Sequence, residues 1–199
     1  MNNDTPPLRL TDALLTRLRE RLAQPHRHYH TQAHVDALLR WLATHAALVA
    51  RRDLIEAAIW FHDAVYDPAR DDNEVQSAAL ARAELAAIGW PADAVERVVA
   101  LALATQRHDA PPGDRDAWLF LDLDLSVLGQ SAATYRAYAD AVRAEYAFVD
   151  ERRYREGRSQ VLARLLARDP IYRTPELRSA WEAAARANLG EELQRLRAG

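Results

Sequence analysis

The sequence contains no cysteine. Disulfides, thiolate metal sites and cysteine nucleophiles are therefore excluded. It contains no lysine either: all 26 basic residues are arginine. That removes Schiff-base chemistry and the lysine of a Walker phosphate loop. The six glycines form no glycine-rich phosphate-binding run. No apolar stretch reaches spanning length, and the opening MNNDTPPLRL lacks a basic region followed by an apolar one. Large charge of one sign is also missing. A net charge of -3 gives no general attraction to nucleic acid or to an anionic membrane. The chain is expected to be soluble and cytoplasmic, with neither a nucleic-acid polymer nor a membrane as partner. Histidine, carboxylate, arginine and hydroxyl groups are what it has for chemistry.

What is present is an ordinary globular composition, 49% hydrophobic and 28% charged. Its 199 residues suffice for one core, so a single domain over 1–199 is expected. Helix signals follow one another. Thr11 can cap a helix bearing Leu14, Leu15, Leu18 and Leu22. Thr31 can cap a second, with Val35, Leu38, Leu39, Leu42 and Ala46 on one face. A third runs from about Asp53 to Val65, ahead of Pro68, which disfavours helix at Asp67. Asp72 or Asn73 can open a fourth that Gly89 ends, and Pro91 begins a fifth. A loop rich in proline, glycine and aspartate follows near 106–116. The alternation from Leu119 to Leu125 could suit a strand, but no partner strand is apparent, so a short buried helix is expected. Ser131, the stretch from Glu151 to Ala167, and Thr174-Pro175 mark three more helices. The fold class is all-α. The five tryptophans are expected in the core.

Four of the seven histidines crowd into HRHYHTQAH, residues 26–34. His62 and Asp63 adjoin each other near the end of an apolar helix, and Asp122 and Asp124 interrupt the apolar run 119–128. A carboxylate in such a run needs a cation or hydrogen-bond donors once buried. Two imidazoles and two carboxylates from His34, His62, Asp63 and Asp124 would make a mixed nitrogen–oxygen site for a divalent ion. The residues alone leave another reading open. His34 then lies on a solvated face, His62 is a hydrogen-bonded core histidine, and Asp124 binds backbone amides.

The ordered set YHTQAHV (29–35), AIWFHDAVYDP (58–68), NEVQSA (73–78) and FLDLDLSVLG (120–129) resembles the HD superfamily of metal-dependent phosphohydrolases. More narrowly, HRHYHTQAH near the start, then RAEYAFVDERRYREGRSQVL and AARANLGEEL, resemble predicted HD-type phosphohydrolases of about this length. The likeness runs over nearly the whole chain. It implies a helical bundle around a divalent metal ion (Mn, Fe, Co, Ni, Mg or Zn). The ligands it implies fall on His34, His62, Asp63 and Asp124, with Asp122 in support. Glu74 matches a family glutamate; it or Asp63 would take the proton from water. The implied substrate is a small phosphate ester such as a nucleotide.

Around those ligands, Arg27 suits a bidentate phosphate contact. His30 lies one turn before His34 and suits a substrate or supporting role. Gln106 stands where similar proteins often carry a basic residue, and Arg107 could substitute. His108 and Asp109 border the expected cleft, while His26 and His28 read as solvated. Arg143 and Arg158 match family positions and are candidates for phosphate, although a mixed charge run usually forms a salt-bridged surface. A nucleotide- or metal-binding sensor without catalysis, and a di-iron oxygenase on the same scaffold, are the alternative expectations.

Overall fold

The computed structural model describes residues 8–198. Residues 1–7, part of the segment read for a leader, lie outside that range. Among the described residues there are nine α-helices and no strand. They are α1 (Asp12–Leu22), α2 (Gln32–Thr44), α3 (Arg52–Phe61), α4 (Asn73–Ala87), α5 (Ala92–Ala104), α6 (Arg115–Asp124), α7 (Ala132–Glu145), α8 (Glu151–Leu166) and α9 (Pro175–Ala198). Short 3-10 turns occupy Ala46–Leu48 and Leu125–Gly129. The all-α expectation holds. The ambiguous 119–125 stretch is helical, because a helix satisfies its own backbone groups without a partner strand. No helix among the described residues is long and apolar enough to cross a membrane.

The chain divides into two compact units, 1–121 and 122–199, and the division falls inside the continuous helix α6 rather than in a linker. In the first unit, the Thr11 hydroxyl accepts from the Leu14 amide, as an N-cap should. Leu14, Leu18 and Leu22 then recur every four residues and are all buried. Each such side chain contributes about 1.5–3 kcal/mol on burial. Helix α3 is apolar nearly all round, with Leu54, Ile55 and the run Ala57 to Phe61 buried. Such a helix must be covered on several sides, and α2, α4 and α5 pack against it. Helix α4 turns small residues inward (Ser77, Ala78, Ala81), which lets α5 approach closely.

The expected third helix is longer than the observed one, which stops at Phe61. The reason is competition for its backbone. The Ser77 hydroxyl donates to the Val65 carbonyl (3.1 Å) and accepts from the Val65 amide (3.0 Å). Asn73 brackets Asp67 in the same way, donating to its carbonyl and accepting from its amide. The segment 62–67 is thus pinned to α4 as a turn.

In the second unit, α9 packs on α8, on α7 and on the 3-10 turn at Leu125–Gly129. Its buried face carries Leu177, Trp181, Ala185 and Leu189, together with Asn188 and Glu192. The Asn188 side-chain amide donates to the carbonyls of Leu128 (2.8 Å) and Gln130 (2.9 Å), tying that turn to α9. Trp60, Trp90 and Trp181 are buried, whereas Trp41 and Trp118 are half-buried.

Candidate metal centre

Two polar side chains come together at the end of α3. Adjacent side chains on a helix diverge by about 100°, but His62 and Asp63 lie where the helix gives way to the turn. His62 is 1% exposed. Its Nδ1 lies 2.9 Å from the Ile59 carbonyl oxygen, which can only accept, so Nδ1 carries the proton. In the neutral ring Nε2 then presents a lone pair. That atom lies 3.2 Å from Nε2 of His34 and 3.0 Å from Oδ2 of Asp63, and His34 Nε2 lies 3.9 Å from the same oxygen.

The 3.0 and 3.2 Å spacings fit ligands of a single ion, whereas the 3.9 Å separation of His34 Nε2 and Asp63 Oδ2 is wider than that geometry gives. Two donors each about 2.1 Å from a transition metal, at tetrahedral or octahedral angles, lie about 3.0–3.4 Å apart. Without a proton or a cation between them, a lone pair and a carboxylate oxygen at 3.0 Å repel each other.

Helix α6 supplies the next donor. The Phe120 ring meets the His62 ring edge-on at 5.9 Å between centroids. One ligand atom from each of His34, His62 and Asp124 lies within 4.8 Å of the others, and this group can hold a metal ion. Asp122 is rotated away by two residues. It is buried, and its carboxylate accepts from the backbone amides of Arg173 (3.1 Å) and Thr174 (2.6 Å) just before α9. Burial pushes its carboxyl up to about 6, against the pull of those amides.

No family model, no curated protein and no solved structure matches this chain.

The other expected site residues take varied places. His30 is half-buried beside the donors: its ring meets that of His34 at 6.2 Å and stacks on Tyr66 at 4.1 Å. Tyr29 packs on both histidines. Glu74 stands in the first turn of α4, half-buried. Arg107 is exposed, and His108 holds a left-handed backbone at φ 46° just after α5.

The arginines read as phosphate contacts are engaged within the protein. Arg27 does not offer a free fork to a phosphate: it is 5% exposed and donates to three backbone carbonyls. Arg158, also buried, makes a bidentate pair with Glu192 (2.8 and 3.0 Å) and donates to the Tyr138 hydroxyl. Arg143 pairs with Glu151, donates to the carbonyls of Tyr146 and Val149, and lies over the Tyr154 ring. Both serve the packing of the second unit. His28 is exposed, as read. His26 is exposed too, but its Nε2 donates to the Tyr66 carbonyl at 2.7 Å.

Ser77 and Phe120 support the site without having been singled out individually from the sequence, and Asn73 was read only as a possible helix start. A signal for Ser77 was present, a hydroxyl on the same helical face as Ala78, Ala81 and Leu85. A polar group there needs a partner.

Proposed function

We propose that this protein is a metal-dependent hydrolase of small phosphate esters. The observation that carries the reading is the triangle of His34 Nε2, His62 Nε2 and Asp63 Oδ2, with sides of 3.0–3.9 Å. Two imidazoles and carboxylates are too few to fill an octahedral sphere, which leaves positions for water and substrate, as catalytic sites require. The likeness of the 29–35, 58–68 and 120–129 motifs to HD-type phosphohydrolases supports the choice of phosphate as the reacting group.

The chain's own groups divide the work. Hydrogen bonding of Nδ1 to Ile59 fixes the His62 tautomer, so that Nε2 faces the centre with its lone pair. Phe120 and Tyr29 wall the two imidazoles and limit water. A bound divalent ion would supply Lewis acidity, lowering the pKa of water and offsetting phosphoryl charge. The water oxygen forms the new bond to phosphorus as the ester P–O bond breaks. The second carboxylate oxygen of Asp63, or Glu74, takes the water's proton and returns one to the leaving oxygen. His30 lies beside the donors, which supports a contact with the phosphate.

The test is an assay of purified protein with Mn²⁺, Co²⁺, Ni²⁺ or Mg²⁺ on an aryl phosphate and a nucleotide panel. Metal-dependent phosphate release is expected, abolished by EDTA. His62→Ala and Asp63→Ala should each lower it by at least 100-fold with helicity retained. Activity unchanged in both variants overturns the reading. Tight nucleotide binding without turnover would make the protein a sensor instead.

A further inference from the structure

We infer that Arg27 is the positioning residue of the metal centre: it sets the distance between the two backbone segments that carry the histidines. The inference rests on the metal-centre reading and not on the reaction.

Four described hydrogen bonds leave the Arg27 guanidinium. Nε donates to Gln24 Oε1 (3.2 Å), and Nη2 to the carbonyl of Ala64 (3.2 Å). Nη1 donates twice, to the carbonyls of His30 (3.0 Å) and Asp63 (2.7 Å). A single nitrogen therefore joins the backbone at His30, in the bend just before α2, to the backbone of Asp63. These two places flank helices α2 and α3 in the sequence, and no single helix contains both. The guanidinium also lies 5.5 Å above the Tyr66 ring, whose other neighbours include His30.

The acceptors are placed for such a clamp. The carbonyls of Asp63 and Ala64 lie just past the end of α3, where the helix ladder has stopped and the local dipole favours a cation. Only a planar fork with several N–H groups reaches four acceptors from one site; an ammonium on a single nitrogen does not. The donors of His34 and Asp63 are held at 3.9 Å, and those of His34 and His62 at 3.2 Å. A site of this kind tolerates displacements of only about 0.5 Å before affinity is lost. A phosphate reaching Arg27 would have to displace these carbonyls and so loosen the site it came to use.

The experiment is titration with Co²⁺ alone, followed by calorimetry and by the visible absorption band, which reports coordination geometry. The chains compared are wild type, Arg27→Gln, Arg27→Lys, Arg97→Gln as a stability control that breaks the Asp114 ion pair, and His62→Ala. Arg27→Gln is expected to weaken Co²⁺ binding by roughly 10- to 100-fold and to change the band, as loss of an outer partner does. Arg27→Lys should fall between it and wild type. Arg97→Gln should lose thermal stability while keeping wild-type affinity and spectrum. A folded Arg27→Gln with wild-type Co²⁺ affinity and band overturns the inference, and a raised KM alongside it would make Arg27 a substrate contact. Should Arg27→Gln not fold, Arg27→Lys decides: weaker binding supports the clamp, and wild-type binding overturns it. Wild type that takes up no more Co²⁺ than His62→Ala overturns the metal centre itself, and this inference with it.

Discussion

His62 Nε2 and Asp63 Oδ2 converge to 3.0 Å although they belong to consecutive residues. Inside a helix they would point about 100° apart. His62 keeps helical dihedrals as the C-cap of α3, and the residues after it are held in a turn by Arg27, Asn73 and Ser77. The polar pair sits at this boundary, and its consequences can be measured.

Metal should stabilise the fold through this pair. At a free concentration of 100 times Kd, Mn²⁺ or Co²⁺ adds about 2.7 kcal/mol, or roughly 5–10 °C in Tm for a chain of this size. His34→Ala and His62→Ala should each erase the shift. Thermal denaturation with added metal, compared with EDTA, checks it; an undiminished shift in both variants counts against a shared ion.

The Arg158–Glu192 pair of the second unit is buried on both sides and also receives the Tyr135 hydroxyl. Removing one partner leaves a buried charge, so Arg158→Ala should cost about 3–5 kcal/mol. Arg158→Met combined with Glu192→Leu should cost less than the single change. Urea denaturation of the three proteins measures both, and a double variant as unstable as the single one contradicts the account.

Asp114 pairs with Arg97 through two bonds (2.6 and 2.7 Å) and accepts from the Ala117 amide at the start of α6. The guanidinium hydrogen bonds hold its carboxyl below the usual range. A lowered folded value means stability present above the unfolded value of about 3.9 and lost as pH falls through the folded one. Asp114→Asn should cost about 1 kcal/mol at pH 7. That difference should shrink as the pH drops below about 4. Urea titrations at pH 7 and pH 3 test the sign; a difference that grows in acid is the contrary result.

Gly129 closes the 3-10 turn against α9. A Cβ built there would fall 2.8 Å from Cγ and 3.1 Å from Cα of Trp181. Backbone cannot yield cheaply at that distance, so Gly129→Ala should cost about 1–3 kcal/mol. Gly157, with open space around its would-be Cβ, provides the comparison. Its replacement by alanine should be neutral or stabilising by up to about 1 kcal/mol, because alanine favours a helix interior. Equal losses at both positions would refute the steric explanation.

Much of this architecture is readable along the chain. Leucines four apart in α1, the Thr11 and Ser131 caps, the Pro175 start and the Gly89 stop are local signals with local physical causes. Candidate donors were legible for the same reason: polar residues within apolar runs stand out. The choice of Asp124 over Asp122 rested on the resemblance, through its place directly before LSVLG, while Asp122 accepts from the Arg173 and Thr174 amides.

The role of each arginine was not readable. Arg27, Arg143 and Arg158 carry the right charge for phosphate, yet each is engaged with carbonyls, carboxylates or rings supplied from elsewhere in the fold. Charge is written in one residue, whereas the identity of its partner is a property of two distant ones.

By itself, then, the sequence determined the helical class, most helix ends and which side chains could serve as ligands, because these follow from periodicity, capping and composition within a few residues. Only the tertiary structure decided where α3 stops, how closely His34, His62 and Asp63 approach, and that Arg27 binds backbone. Those depend on hydrogen bonds between segments tens of residues apart, and no local pattern encodes them.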